Sequence, residues 1–131
     1  MPDATEQERI GRLRLIRSEN IGPITFRRLM ARFANAAEAL AALPTLSRRG
    51  GRRGSVRICS LDRAEDEFAA AEALGGRHII WGDADYPPLL AEIEDAPPAF
   101  PVLGDAALLS RRSVAVVGAR NASANGRRFA R

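Results

Sequence analysis

The 131-residue sequence has one cysteine (Cys59) and one histidine (His78), so it offers neither a disulfide framework nor the four ligands of a structural zinc site. No Cys/His nucleophile pair lies close in sequence, and we expect no cofactor and no metal. It also lacks an apolar run of the roughly 18 to 20 residues that a membrane span needs, and its first residues do not resemble a signal peptide. A cytoplasmic protein without a membrane span is therefore expected.

Lysine is absent as well, because all 20 basic residues are arginine. Residues 1–60 carry 12 arginines and 5 acids, residues 61–110 carry 2 arginines and 11 acids, and residues 111–131 carry 6 arginines and no acid. Two basic ends thus flank an acidic middle. Arginine favours planar, bidentate recognition of phosphates, although a genome-wide preference for its codons would also explain this usage.

The first 76 residues predict an all-helical domain. Apolar spacing indicates a helix from about Thr5 to Glu19 and a second after Pro23, joined as a hairpin at Asn20–Pro23. A third helix should run from about Ala36 to Leu43 and stop at Pro44, before a flexible, basic segment at 47–55. Asp62 and Glu65 indicate the start of a fourth helix, which should end at Gly75-Gly76.

From residue 77 the pattern changes to short strands. Residues 77–81 read as a strand, 83–88 as a turn, and 97–104 as an extended segment rich in proline. Residues 113–118 form a small apolar run typical of a parallel strand buried on both faces. We therefore predict an α plus α/β protein, in which residues 77–131 begin a second domain whose sheet is incomplete in this chain.

The segment from Gly118 to Gly126 leaves this predicted strand and enters a helix, the place where a Rossmann phosphate loop lies. Arg120 stands where a dinucleotide site needs a residue without a side chain, so the loop suits a phosphodiester better than a dinucleotide. Ser123 could donate a hydroxyl or cap the helix, and Arg127 adds positive charge. A plain strand-turn-helix connection is the alternative interpretation.

Four segments taken together resemble the DNA-processing protein A (DprA/Smf) family. They are Ile21-Gly22-Pro23, the turn at residues 85–90, the segment 97–105, and the run 114–123 with its Gly-x-Arg-x-x-Ser pattern. The resemblance implies a helical domain similar to a sterile alpha motif (SAM-like), followed by an extended Rossmann-like domain that binds single-stranded DNA without catalysis. Such proteins protect incoming DNA in natural transformation and load the RecA recombinase.

The resemblance also implies site residues and partners. Gly118, Arg120, Ser123 and Gly126 would form the loop that touches DNA phosphates, with Arg127 beside it. Asn125 departs from the family pattern, in which a tyrosine is common before the glycine. The expected partners are single-stranded DNA, a RecA-type recombinase and, in the full-length protein, a second copy forming a homodimer.

Other interpretations remain open from the residues alone. The chain could be a Rossmann-like nucleotide or phosphoribosyl hydrolase, although residues 111–131 contain no Asp, Glu, His or Cys for acid–base work. Residues 1–76 could be a protein-interaction module, and the turn from Asn20 to Arg28 could touch DNA or only pack. We expect structural roles for Cys59 and His78, core or interface positions for Trp81 and Tyr86, and turn positions for Asp83 and Asp85.

Overall fold

A computed structural model describes residues 4–51 and 54–131 of the chain. Four helices come first. Two paired strands follow, with a short helix between them in the sequence. A 3₁₀ turn at Ala106–Ser110 and a last short helix complete the order. The elements are α1 (Glu6–Ile16), α2 (Pro23–Arg32), α3 (Ala36–Arg49), α4 (Leu61–Ala73), β1 (Gly76–Ile80), α5 (Pro88–Ala91), β2 (Ala99–Leu103) and α6 (Ala124–Phe129).

The predicted hairpin of α1 and α2 is present, but α1 ends three residues earlier than the spacing indicates. The hydroxyl of Ser18 donates to the carbonyl oxygen of Arg14 at 2.7 Å, and Asn20 adopts a φ of 62°. A side chain that binds the backbone and a left-handed residue both favour a turn over continued helix. Helix α2 then begins at Pro23, as predicted, because proline suits a first helical turn.

The prediction that Pro44 stops the third helix is wrong. Helix α3 continues through Pro44 to Arg49, so Ser47–Arg49 form its last turn rather than a flexible segment. Proline removes one backbone donor, but Leu43 is buried in the core and Leu46 packs against it, and this burial holds the helix on both sides of the proline. Residues 52 and 53 of the predicted basic segment lie outside the described residues.

The start of the fourth helix also differs from its prediction. Ser60, rather than Asp62, is the N-cap of α4, and its hydroxyl oxygen accepts a hydrogen bond from the Arg63 amide at 3.3 Å. Serine is a preferred N-cap, so the correct signal lay two residues upstream. Gly75, with a φ of 73°, follows the end of the helix, which confirms the predicted stop.

Three hydrophobic clusters form the core. The first joins α1, α2 and α3 around Phe26 and Leu15. The second joins the helices to the sheet, because Leu13 and Ala64 pack with Ile80 and Ala99. The third contains Ile79 of β1, Tyr86 of the turn that follows it, and Ala106 of the 3₁₀ turn. The predicted domain boundary at residue 76 stays a prediction.

The sheet confirms the predicted strand near residue 77 and the extended segment near residue 99. Strands β1 and β2 pair antiparallel, with Gly76 opposite Leu103 and Ile80 opposite Ala99. Side chains at 78, 79 and 80 are buried, so both faces of β1 are covered. Among the helices in the described ranges, none has the length and apolar character needed to cross a bilayer.

The predicted buried parallel strand at 113–118 is not formed. The segment has no regular secondary structure, and Val114 and Val117 are 90% and 91% exposed. A parallel strand of this composition needs a paired neighbour to satisfy its amides and a cover on each face. In the described part of the chain no strand lies beside residues 113–118, so the apolar run is exposed and without regular structure.

Candidate nucleic-acid interface

The predicted phosphate loop ends in a capped helix. Ser123 is the N-cap of α6, and its hydroxyl oxygen accepts a hydrogen bond from the Gly126 amide at 3.1 Å. The Arg127 amide donates to the Ser123 carbonyl oxygen at 3.0 Å. The structure therefore brings Ser123, Gly126 and Arg127 into one helical turn, and the Ser123 hydroxyl proton stays available for a second acceptor.

Gly118 and Arg120 lie upstream of this turn and are exposed; Gly118 has no regular secondary structure, and Arg120 lies in a bend. The described residues provide no hydrogen bond that ties either of them to Ser123, Gly126 or Arg127. The five predicted site residues therefore fall into two groups that are adjacent in sequence. Arg120 is exposed rather than held inward by a carboxylate, so its guanidinium faces solvent.

All the arginines of residues 111–131 share this exposure. The salt bridges within residues 4–51 and 54–131 involve none of them, and the segment contains no acid of its own. The six are Arg111, Arg112, Arg120, Arg127, Arg128 and Arg131. A cluster of unpaired guanidinium groups produces a positive field that attracts phosphate.

The arginines of α1 are used differently, because they bind groups inside the chain. Arg9 forms an ion pair with Asp83 and donates to the His78 carbonyl oxygen at 2.9 Å. Arg12 binds Glu8 at 2.9 Å and donates to the Trp81 carbonyl oxygen at 2.9 Å. These bonds join α1 to the end of β1.

Gly82 makes room for one of these bonds. It has a φ of 93°, and a Cβ atom at this position would lie 2.6 Å from Nη1 of Arg12. The backbone angle therefore favours glycine, and a side chain here would also displace the guanidinium of Arg12. Arg12, which lies 70 residues before Gly82 in the sequence, therefore packs against the turn after β1.

Trp81 and Tyr86 are packed in the structure rather than presented for base stacking. Their rings meet edge to face at 5.0 Å, and the Tyr86 hydroxyl donates to the Pro97 carbonyl oxygen at 2.9 Å. The guanidinium of Arg27 lies 3.9 Å from the centre of the Trp81 ring, and it donates to the Ala91 carbonyl oxygen. Burial raises the pKa of the Tyr86 hydroxyl, while the charge of Arg27 opposes that shift.

The hairpin turn that could touch DNA has a mixed arrangement. Gly22, the N-cap of α2, is exposed, and so is Arg28. Arg27 instead turns toward Trp81 and Ala91, so it does not face outward with its neighbour. Gly22 and Arg28 are therefore the exposed positions of this turn, and Arg27 is a packing residue.

Cys59, Asp83 and Asp85 bind groups of the fold, in keeping with the structural and turn positions expected for them. Cys59 is buried, and its amide donates to the Ser18 hydroxyl at 3.1 Å. Asp83 binds Arg9 and accepts from the Ile80 amide at 2.8 Å, and Asp85 pairs with Arg77. Among the residues that the structure describes, no three His, Cys, Asp or Glu side chains are placed to hold a metal ion.

Glu67 is a second carboxylate that α1 engages. Arg17 donates to it through Nη2 at 2.7 Å and through Nε at 2.9 Å, which is a bidentate pair. This hydrogen bonding lowers the pKa of the Glu67 carboxyl against the opposing effect of burial, and it raises the pKa of Arg17. The role of Glu67 and the internal hydrogen bonds of the α1 arginines were not predicted from the sequence, although the acidic residues at 61–110 indicated that partners for arginine were present.

Comparison with known protein families matches most of the chain. Residues 6–70 match a DprA-like N-terminal HHH domain, and residues 77–131 match DNA recombination-mediator protein A. A search of curated proteins found no significant match. The two family matches place the chain among the DNA recombination mediators. It belongs to the DprA family, as the resemblance in the sequence indicated.

Proposed function

We propose that this chain supplies a surface for single-stranded DNA to a recombination mediator that protects incoming DNA during natural transformation and loads a RecA-type recombinase. The observation that carries this proposal is the set of six exposed arginines at 111–131, none of which has a carboxylate partner in the described residues. Family membership supports the mediator role. The preference for single-stranded DNA, the loading of a recombinase and a cytoplasmic location are parts of this proposal.

The physical reason lies in what an unpaired guanidinium offers. It presents five donors in a plane and matches two oxygens of a phosphodiester. An arginine already bound to a carboxylate would have to break that pair first, whereas Arg120 and Arg127 do not. The Ser123 hydroxyl and the Gly118 amide add donors without charge, and Gly126, whose amide already donates to Ser123, adds no side chain that would keep a phosphate away. We propose these five residues as the phosphate contacts.

The same segment argues for binding without catalysis. It contains no Asp, Glu, His or Cys, so it supplies no side chain for general acid or base chemistry at a bound phosphate. We therefore infer that the chain holds DNA and does not cleave it. A nucleotide or phosphoribosyl hydrolase would need its catalytic group from another part of the protein.

The finer fold assignment belongs to this proposal too. We infer a SAM-like arrangement for the helical region, a Rossmann-like domain for the region from residue 77, and assembly as a homodimer. The small apolar residues at 113–118 support the second assignment, because they suit a strand covered on both faces. Where a neighbouring strand is supplied to residues 113–118, hydrogen exchange there should then be slow, and fast exchange in its presence would contradict the assignment.

The test is a salt titration of DNA affinity by fluorescence anisotropy, with labelled single-stranded and double-stranded oligonucleotides. Log K should fall with log salt by about 0.7 for each phosphate neutralised on single strands. Arg120→Ala should flatten the slope by about that amount and weaken binding similarly for all sequences. The control is Arg77→Ala, which removes an arginine paired with Asp85 and should leave the slope unchanged.

Two outcomes would overturn the proposal. An unchanged slope for Arg120→Ala removes this side chain from the interface. Turnover of a mononucleotide without oligonucleotide binding would replace the mediator with the hydrolase alternative.

A further inference from the structure

Phe129 differs from the other aromatic residues of the chain. The sequence has five phenylalanines, one tyrosine and one tryptophan. All of them except Phe129 are buried or half-buried, namely Phe26, Phe33, Phe68, Trp81, Tyr86 and Phe100. Phe129 is 91% exposed, and within the described residues it belongs to no hydrophobic cluster and to no ring contact. Both faces of its ring are therefore open to a ligand.

The residues around Phe129 are basic. Phe129 is the last residue of α6, it directly follows Arg127 and Arg128, and Arg131 comes two positions later. None of these arginines has a carboxylate partner in the described ranges, and residues 111–131 contain no acid. Their positive field attracts a polyanion, whereas an apolar protein surface would desolvate the guanidinium groups without supplying a counter-charge.

The helical spacing of α6 separates the ring from the charges. Asn125 and Phe129 lie four residues apart, so they share one face of the helix, and neither side chain is charged. Arg127 and Arg128 occupy other positions around the same turn. The helix thus presents a neutral face with an aromatic ring, flanked by guanidinium groups. A strand of nucleic acid, which carries a charged backbone and uncharged bases, has the matching chemistry.

We propose that Phe129 stacks on a base of single-stranded DNA whose phosphates are bound by the arginines of residues 111–131. This inference rests on the proposed function and adds the contact that distinguishes single strands from duplex. Every base has a π face, so stacking on an aromatic ring tolerates any sequence. In a duplex, the faces of an internal base are already covered by its neighbours. The ring therefore strengthens binding of single strands only.

An abasic strand isolates the stacking contact. Fluorescence anisotropy compares a labelled oligo(dT) with an oligonucleotide of equal length in which tetrahydrofuran replaces every base, so that the phosphates are the same. Phe129→Ala should weaken binding of oligo(dT) about tenfold, and it should leave binding of the abasic strand and of duplex unchanged. The salt slope should equal that of the wild type, because the substitution removes no charge.

Matched variants separate the ring from general apolar contact. Phe129→Tyr keeps the ring and should bind like the wild type, whereas Phe129→Leu keeps an apolar side chain without a ring and should bind like Phe129→Ala. The control is Leu89→Ala, which removes an 86% exposed apolar side chain of α5 and should leave every affinity unchanged. Urea unfolding of Phe129→Ala should match that of the wild type, since the ring is exposed.

Four results would each overturn this inference. They are an unaffected affinity of Phe129→Ala for oligo(dT), equal weakening on the abasic strand, wild-type affinity in Phe129→Leu, and a stability loss in Phe129→Ala, which would show that the ring packs within the protein. If salt-dependent binding is retained, these results leave the proposed function intact. A wild-type chain that shows no salt-dependent binding of DNA would instead overturn the proposed function, and this inference with it.

Discussion

Helix α1 and the segment 111–131 are both rich in arginine, yet they use it in opposite ways. The arginines of α1, and Arg17 directly after it, all donate to acceptors of the fold: Arg9 to Asp83, Arg12 to the Trp81 carbonyl and, within the helix, to Glu8, Arg14 to the Cys59 carbonyl and Arg17 to Glu67. The arginines of 111–131 have no such partner in the described residues. The same residue type therefore holds the fold together in one region and stays available in the other.

The difference comes from where the acids lie. Residues 61–110 carry nine more acids than arginines, and two of these acids, Glu67 and Asp83, are the carboxylates that α1 reaches. The first basic block is thus partly neutralised within the fold, whereas the last basic block has no acid beside it. Composition alone does not separate the two cases; the placement of the counter-charges does.

The largest expected effect is the loss of Arg9. Arg9→Ala leaves the Asp83 carboxylate, whose side chain is 4% exposed, without its ion-pair partner. An uncompensated buried charge costs about 3 kcal/mol, so the free energy of unfolding should fall by about that amount. Urea unfolding followed by circular dichroism measures it. The matched control is Arg120→Ala, which should change stability by less than about 0.5 kcal/mol.

A double variant sharpens the result. If the cost arises from the stranded carboxylate, Asp83→Asn added to Arg9→Ala should restore part of the stability, because it removes the buried charge. Equal destabilisation by Arg9→Ala and Arg120→Ala would mean that the two regions do not differ as the contacts indicate.

A second prediction concerns binding rather than stability. The double change Arg127→Ala/Arg128→Ala removes two unpaired guanidinium groups and should reduce the salt slope of single-stranded DNA binding by about 1.4, at 0.7 for each lost phosphate contact. Its stability should stay within about 0.5 kcal/mol of the wild type, since both side chains are exposed. Anisotropy across a salt series gives the slope, and a slope equal to that of the wild type would exclude both residues.

Helix capping offers the third comparison. Ser60 caps α4, which packs on α1 and β1, whereas Ser123 caps the six-residue α6, in which no residue is buried. Ser60→Ala should therefore lower the free energy of unfolding by about 1 kcal/mol, and Ser123→Ala should leave it unchanged. Thermal or urea unfolding distinguishes the two. A stability loss at Ser123 would show that α6 packs against the remainder of the chain.

The helical region could be predicted closely from the sequence because its signals are local. Thr5, Pro23 and Asn35 mark helix starts, and apolar spacing in α2 gives its buried face. The prediction at Pro44 was wrong because it used the rule that proline ends a helix. In the structure, burial of Leu43 and packing of Leu46 keep α3 helical on both sides of the proline. The bonds of Arg9 and Arg12 could not be predicted, since they join residues about 70 positions apart.

Residues 113–118 show the opposite limitation. Their composition suits a buried strand, but a strand is defined by its neighbours, and the structure places none beside them in the described ranges. The candidate DNA loop was identified from its Gly-x-Arg-x-x-Ser pattern. Helix capping by Ser123 was one of the two roles predicted for this side chain, and the structure shows it as a hydrogen bond from the Gly126 amide.

The smallest expected effect is the pH dependence of the Arg17–Glu67 pair, which joins α1 to the acidic middle. Hydrogen bonding from Arg17 lowers the pKa of Glu67 in the folded chain, and nearby His78 acts in the same direction. The unfolded chain therefore binds this proton at higher pH than the folded chain does. The stabilisation is complete above the ordinary glutamate pKa and is lost as the pH falls through the lowered value.

Because the Arg17–Glu67 pair is partly exposed, it should contribute less than about 1 kcal/mol to the free energy of unfolding. Urea midpoints of the wild type and Glu67→Gln, compared between neutral and acidic pH, should converge as the pH falls, whereas Glu92→Gln should follow the wild type throughout. Parallel curves for Glu67→Gln and the wild type would show that this pair, unlike that of Arg9, adds nothing to the fold.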